Sequence, residues 1–239
     1  YNYSFRDLSK ALLNNYDQWK DKKIPCRILG VINKAIKDFQ VKNIYLFVTD
    51  QKKPHEKDTI YLFKILQKWL QDHNYEVNLF AKFIPNNLIL NNESLDQLLD
   101  FYYSFFQELI HTYSAEEELL ISIKGGIPNM QTALKMQTIS SPMQYQLFIN
   151  PQLSVKNILS GQSSQCIVTS YWQYIRSHKY NVIKQLLERW DFDGSIKIIK
   201  DYNKILSFLI DKDVLNKNDI KNNRKVLQNV QDIENFGLY

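Results

Sequence analysis

Glycine, proline and cysteine are scarce in this sequence, which has six glycines, six prolines and two cysteines among 239 residues. So few turn-forming residues argue against a disordered chain and against an all-β fold with many tight turns. Cys26 and Cys166 match neither a metal-ligand spacing nor a disulfide framework, so we expect reduced thiols and a cytoplasmic protein. No apolar run of about 18 residues occurs, which predicts that no segment spans a membrane.

The net charge of +5 comes from one part of the chain. Between Arg176 and Lys225 there are 12 basic and 7 acidic residues, so this segment alone accounts for the excess. Because both signs are interspersed, we interpret the segment as a solvated helical surface and expect no direct DNA binding.

Strand-like and helix-like segments alternate over the first two thirds of the chain. Four short apolar runs predict strands covered on both faces, at 43–51, 75–84, 117–126 and 143–151. Amphipathic periods between them predict helices, and one such helix precedes the first strand. This order predicts an α/β fold with a Rossmann-like, mostly parallel sheet and helices on both faces.

After Pro151 the pattern changes, and two long helical periods follow. We therefore predict a Rossmann-like domain over 1–165 and a helical connector over 166–239. The sequence begins at Tyr1 without methionine or a signal-peptide pattern, so we expect further sequence before it.

A glycine pair stands between the third predicted strand and the next helix. Gly125 and Gly126 allow positive φ angles and close approach to the backbone, and Pro128 suits the first turn of the following helix. The free amides of that helix would face the carboxyl end of the sheet, where open α/β sheets bind ligands. This arrangement suits a phosphate or a nucleotide. A tight turn without a ligand explains the same residues.

Polar residues also follow the first predicted strand, in the stretch VTDQKKPHEKDT (48–59). Parallel strands end at the same edge of a sheet, so we expect this stretch and the glycine pair to open onto one crevice. Helix capping is the alternative explanation for Asp58 and Thr59, and a solvated loop is the alternative for His55.

These motifs together resemble the CRISPR-associated Rossmann-fold (CARF) domains. The likeness rests on TDQ (49–51), on H..DT (55–59) and on KGGIPNM (124–130). YW.Y (171–174) and LLERWDFDGSI (186–196) resemble the helical segment that follows such domains in type III CRISPR ancillary effectors. The resemblance covers 43–199, and the first-strand motif of the family is expected to lie before Tyr1.

The resemblance implies a homodimeric sensor in antiviral defence whose pocket lies on the twofold axis. Its ligand would be a cyclic oligoadenylate, either the tetra- or the hexa-adenylate. It would allosterically control an effector region, a nuclease domain that is not evident in this sequence, without a cofactor or a metal. Carried over to this sequence, the ligand-binding residues are Thr49, Asp50, Gln51, Lys124, Gly125, Gly126, Ile127, Pro128, Asn129 and Met130.

No catalytic residue can be assigned from the sequence. None of the arginines has a histidine one helical turn away, as the common RNase signature of these effectors requires. Asp50-Gln51-Lys52 and Asp219-Ile220-Lys221 have a D-x-K spacing but no second acidic partner. A turn between helices explains ERWDFDG (188–194) better than a metal cluster does. Slow cleavage of a bound ring stays open, since it needs only geometry and a cation.

Two other functions fit the sequence. The first is a Rossmann-like enzyme that acts on a mononucleotide or phosphorylated small molecule, with a catalytic residue among Asp50, His55 and Lys124. The second is a ligand-responsive transcription regulator that contacts DNA through 176–225, and it predicts steeply salt-dependent binding to duplex DNA.

Overall fold

A computed structural model describes residues 4–21, 27–52, 55–90, 95–123, 125–151 and 165–215, together with scattered positions from 218 to 228. Its helices are α1 Phe5–Asn14, α2 Tyr16–Trp19, α3 Arg27–Phe39, α4 Ile60–Asp72, α5 Asn86–Leu90, α6 Leu95–Thr112, α7 Pro128–Ser140, α8 Trp172–Glu188 and α9 Phe192–Asp211. Its strands are β1 Asn43–Val48, β2 Asn78–Phe83, β3 Glu118–Ile121, β4 Tyr145–Pro151 and β5 Cys166–Thr169. The predicted α/β fold is confirmed.

Two pairs of strands are parallel, as predicted, but the described strands form two sheets. β1 pairs with β2 in the register Asn43 to Asn78 through Val48 to Phe83. β3 pairs with β4 from Glu118 opposite Tyr145, and β5 adds to this sheet beside β4. The sequence predicts neither the division into two sheets nor β5, whose four residues contain Cys166 as a thiol. Cys26 lies outside the described residues.

One core cluster joins α2, α3 and α4. Tyr16 and Trp19 meet edge to face, with ring centroids 5.3 Å apart, and they pack with Leu66 and the fully buried Trp69. These apolar residues recur at helical spacing, so each helix turns one stripe toward the others. Truncating a buried aromatic residue such as Trp69 to alanine typically costs about 3–5 kcal/mol. This cluster therefore anchors the helices that flank β1.

The two helices predicted after Pro151 are confirmed as α8 and α9, which pack against each other. Trp172 and Tyr202 stack with centroids 4.8 Å apart, and Leu206 and Leu209 are fully buried beside them along α9. Burial raises the pKa of the Tyr202 phenol above its ordinary value, and the neighbouring Tyr180 adds to the effect. The division between 165 and 166 into sensor and connector stays a prediction.

The chain divides into two compact units that alternate along the sequence. The first unit comprises 1–103, 122–134 and 149–167, and the second comprises 104–121, 135–148 and 168–239. Among the described elements, four have residues in both units, namely α6, α7, β4 and β5. Within the described residues, no helix has the length and apolar character needed to cross a membrane.

Candidate functional site

The carboxyl end of β1 is fastened to the start of α4 by two threonines. The Thr49 amide donates to Thr59 Oγ1 at 2.9 Å, and the Thr59 amide donates to Thr49 Oγ1 at 3.1 Å. The amides of Thr59 and Ile60 also donate to the Thr49 carbonyl, at 3.0 and 3.2 Å. Thr59 occupies the N-cap position of α4, but its hydroxyl accepts from the Thr49 amide at the end of β1 and makes no capping hydrogen bond to the helix. The predicted capping role of Thr59 is therefore wrong, and the pair instead fixes how the chain leaves β1.

A buried carboxylate organises the rest of this loop. The side chain of Asp58 has no solvent exposure, and its Oδ2 accepts from the His55 amide at 2.9 Å and, more weakly, from the Gln51 amide at 3.4 Å. Its Oδ1 accepts from Gln51 Nε2 at 3.2 Å. A buried charge is tolerated only when hydrogen bonds and an opposite charge compensate it. Asp58 thus holds both ends of the loop in place, which corrects the expectation that it caps α4.

The opposite charge comes from Arg6 in α1, a residue that the sequence does not predict to belong to the site. Arg6 Nη1 lies 2.5 Å from Asp58 Oδ2 and 3.2 Å from Asp50 Oδ1, and the Arg6 amide donates to the Glu56 carbonyl at 2.8 Å. Burial by itself lowers the pKa of Arg6, but the hydrogen bond to Asp50 and the charge of Asp58 outweigh it and raise the pKa. Arg6 therefore stays charged and ties α1 to the end of β1.

Further cations gather on the surface of the same two helices. Around the ring of Tyr61, in the first turn of α4, lie the Arg6 guanidinium at 5.1 Å and the ammonium groups of Lys64 at 5.8 Å and Lys10 at 5.9 Å. Such distances to a ring centroid correspond to cation–π contacts. The helices beside the β1 end are thus positively charged, although the loop that they hold contains two carboxylates.

The glycine pair adopts the conformations that the sequence predicts. Gly125 has a φ of 125° and Gly126 has a φ of 72°, both of which disfavour residues with a side chain. A Cβ on Gly126 would lie 3.3 Å from the sulfur of Met130, which is buried. Lys124, the cation expected beside them, lies outside the described residues.

Helix α7 starts at Pro128, as predicted, and it holds the glycine turn in two ways. The Gln131 amide donates to the Ile127 carbonyl at 3.2 Å, and Gln131 Nε2 donates to the Gly126 carbonyl at 3.2 Å. Ile127, Pro128 and Asn129 are exposed. The turn is therefore a fixed but accessible surface at the start of a 13-residue helix.

Both predicted segments, 49–51 and 125–130, belong to the same compact unit. At the β1 end, Gln51 is buried against Asp58, while Asp50 keeps 40% of its side chain exposed. The expectation that these segments line one crevice stays a prediction, and so do the ligand-binding roles of all ten residues.

Among the described residues, no group of three or more histidines, cysteines and carboxylates lies close enough together to hold a metal ion. In ERWDFDG (188–194), Asp191 instead caps α9 by accepting from the Gly194 amide at 2.8 Å. The predicted turn between helices is confirmed. Asp219 of the second D-x-K segment lies outside the described residues.

Comparisons with known proteins point to one fold. No family model matches the chain, and no curated protein matches it in sequence. Among solved structures, the chain is similar to Csm6 of Enterococcus italicus bound to cyclic hexa-2'-fluoro-hexa-dAMP, with a TM-score of 0.56 and 17% sequence identity. The match covers 76% of this chain and 50% of that one, so this chain spans half of the length of that Csm6. At this identity the likeness shows a shared fold.

Proposed function

We propose that this chain is a sensor that binds a cyclic oligoadenylate as a homodimer and thereby controls an effector. The supporting likeness is to a Csm6 structure that holds a cyclic hexanucleotide analogue. The chemistry of the two polar segments agrees with such a ligand, which carries phosphates, ribose hydroxyls and adenine edges. Antiviral defence of the type III CRISPR kind is the matching biological role.

The observation that carries this proposal is the conformation of the glycine turn. Two successive residues with positive φ, at 125° and 72°, precede the first turn of α7 and are exposed. Amides in the first turn of a helix have no partner within the helix, and the helix dipole adds a partial positive charge there. Backbone of this shape binds phosphate oxygens without a metal ion.

Homodimerisation follows from the symmetry of the ligand. A ring of identical nucleotides offers the same groups at regular positions, so a twofold dimer presents each glycine turn once to each half of the ring. One ring would then bind two chains. Because both chains contact the same ligand, ring binding shifts the equilibrium between dimer conformations, and α8 and α9 would transmit that shift to an effector.

Calorimetric titration of the purified chain with cyclic hexa-adenylate and cyclic tetra-adenylate tests the proposal. We expect saturable binding of one of the rings at half a mole per chain, and no comparable binding of the linear hexa-adenylate. Gly126→Val should abolish it, because a β-branched residue is strained at a φ of 72°. Gly126→Asn is the matched control, since asparagine tolerates this left-handed conformation better than valine.

The alternative functions predict different outcomes of the same titration. Binding of a mononucleotide at one mole per chain, with neither ring binding, would favour the Rossmann-like enzyme. Salt-dependent binding to duplex DNA would favour the transcription regulator. Either outcome contradicts the sensor.

A further inference from the structure

We propose that the start of α8 is a second binding site, which takes a small aromatic anion, that is, a flat ring bearing a phosphate or a carboxylate. The residues that form it belong to the second compact unit, whereas the glycine turn and the end of β1 belong to the first. The inference therefore goes beyond the proposed function and does not depend on it.

A cavity of about 480 Å³ lies at this helix start. Its walls are the segment from Ser170 to Tyr174 and, after α9, Val214 and Leu215. Pockets for small ligands have volumes of about 300–1,000 Å³ and combine apolar and aromatic walls with a few polar groups. The exposed ring of Tyr174 and the aliphatic side chains of Val214 and Leu215 offer such walls. The cavity therefore has the size and the lining for one small aromatic molecule.

Trp172 lines this cavity and carries a buried donor. The residue is only 2% exposed, and its Nε1 has no hydrogen-bond partner among the described residues. Tyr202 stacks on the indole with ring centroids 4.8 Å apart, which holds the ring in place. A buried donor without an acceptor costs about 1–3 kcal/mol. A ligand oxygen that accepts from Nε1 would remove this cost, so Trp172 favours a ligand with an acceptor.

The start of α8 also favours negative charge on that ligand. The first-turn amides lack partners within the helix, and Tyr171 at the N-cap makes no side-chain capping hydrogen bond. The helix dipole adds a partial positive charge here. Lys135 Nζ lies 4.2 Å from the centre of the Tyr171 ring, and Arg176 follows in the next turn of α8. Asp213, exposed beside Val214, is the carboxylate adjacent in sequence to the walls, and it is not a wall itself.

The indole N–H signal of Trp172 gives a direct test. The chain has four tryptophans, so ¹⁵N labelling of tryptophan gives four indole signals in an NMR spectrum, and Trp172→Phe identifies the one from Trp172. The labelled chain is titrated with indole-3-acetate, an aromatic carboxylate, and with adenosine 5′-monophosphate, an aromatic phosphate. Inorganic phosphate, which lacks the ring, and adenosine, which lacks the charge, are titrated in parallel.

We expect one of the two aromatic anions to bind at one mole per chain and to shift the Trp172 signal, and which of them binds identifies the charged group. Inorganic phosphate and adenosine should each bind at least about 10-fold more weakly, because each offers only half of the contacts. Trp172→Phe keeps a ring beside Tyr202 but removes the N–H. It should weaken binding about 10- to 100-fold, the range for a hydrogen bond to a charged group.

Trp190→Phe is the matched control, since it makes the same change at a residue that is 81% exposed, and it should keep the wild-type affinity. If Trp172→Phe does not fold, Lys135→Met removes the nearby cation instead and should weaken binding about 2- to 5-fold. The melting temperatures of all variants show whether each comparison is made between folded proteins.

Failure of both aromatic anions to shift the Trp172 signal would overturn the inference, while binding of cyclic rings at the glycine turn is measured separately. Equal affinity of the wild-type chain and Trp172→Phe would also overturn it. If Gly126→Val abolishes binding of the anion and Trp172→Phe does not, the anion occupies the glycine turn, and the second site is refuted.

Discussion

Replacing Arg6 by alanine tests whether the buried carboxylate of Asp58 depends on its partner from α1. The variant leaves a fully buried negative charge with only the donors from Gln51 and His55. Removing one partner of a buried ion pair costs about 3–5 kcal/mol. We expect the lower end, about 3 kcal/mol, because Arg6 keeps 15% of its side chain exposed and Asp58 keeps its other hydrogen bonds. For a chain of this size, that corresponds to a fall of about 6–12 °C in melting temperature.

Thermal unfolding followed by circular dichroism measures this effect. Lys10→Ala is the matched control, since Lys10 lies one turn further along α1 and its described contact is with the ring of Tyr61 at 5.9 Å. We expect the control to change the free energy of unfolding by less than about 1 kcal/mol. The double variant Arg6→Ala/Asp58→Asn should lose less than the sum of the two single variants, because no uncompensated charge is left.

The reasoning fails if Arg6→Ala costs no more than Lys10→Ala. It fails equally if the two single variants add up in the double variant. Either result would mean that the hydrogen bonds from the loop amides suffice to hold Asp58, and that α1 contributes to the β1 end only through packing.

Two further predictions concern stability. Asp191→Ala should remove the cap that accepts from the Gly194 amide and lower the free energy of unfolding by about 1 kcal/mol, which a urea titration would detect; an unchanged midpoint would contradict it. Burial raises the phenol pKa of Tyr16, Tyr102 and Tyr202 above the ordinary value of 10.0, so these groups stay neutral in the folded chain when the unfolded chain ionises. These tyrosines should therefore leave the free energy of unfolding unaffected below pH 10 and lower it above pH 10, by about 1.4 kcal/mol per pH unit for each tyrosine. Urea titrations from pH 9 to 11 measure this effect, and an unchanged free energy of unfolding would refute the prediction.

The order of helices and strands could be predicted from the sequence because each element carries its own local pattern. The strand β1, the start of α7 at Pro128 and the positive φ of Gly125 and Gly126 all follow from neighbouring residues. The strand β5 could not be predicted in this way. It has four residues with alternating exposure, and its identity as a strand depends on pairing within the sheet of β3 and β4.

The ion pairs at the β1 end could not be predicted from local sequence patterns, because they join residues that are far apart in the sequence. Arg6 lies 44 residues before Asp50 and 52 residues before Asp58 in the sequence. The amino-acid pattern of a short polar segment such as 48–59 does not distinguish carboxylates that cap a helix from carboxylates that bind a ligand or pair with an arginine distant in the sequence. The polar residues of the site were thus predictable as a group, while the partner that orients them was not.

The alternation of the two compact units along the chain has a consequence for protein synthesis. The first unit combines 1–103 with 149–167 and the second combines 104–121 with 168–239, so each needs residues that are synthesised well after its own first segment. Domains made of one continuous segment can fold as soon as that segment emerges. Neither unit of this chain consists of one continuous segment. Each unit can therefore complete its fold only after the segment that separates its two parts in the sequence has also been synthesised.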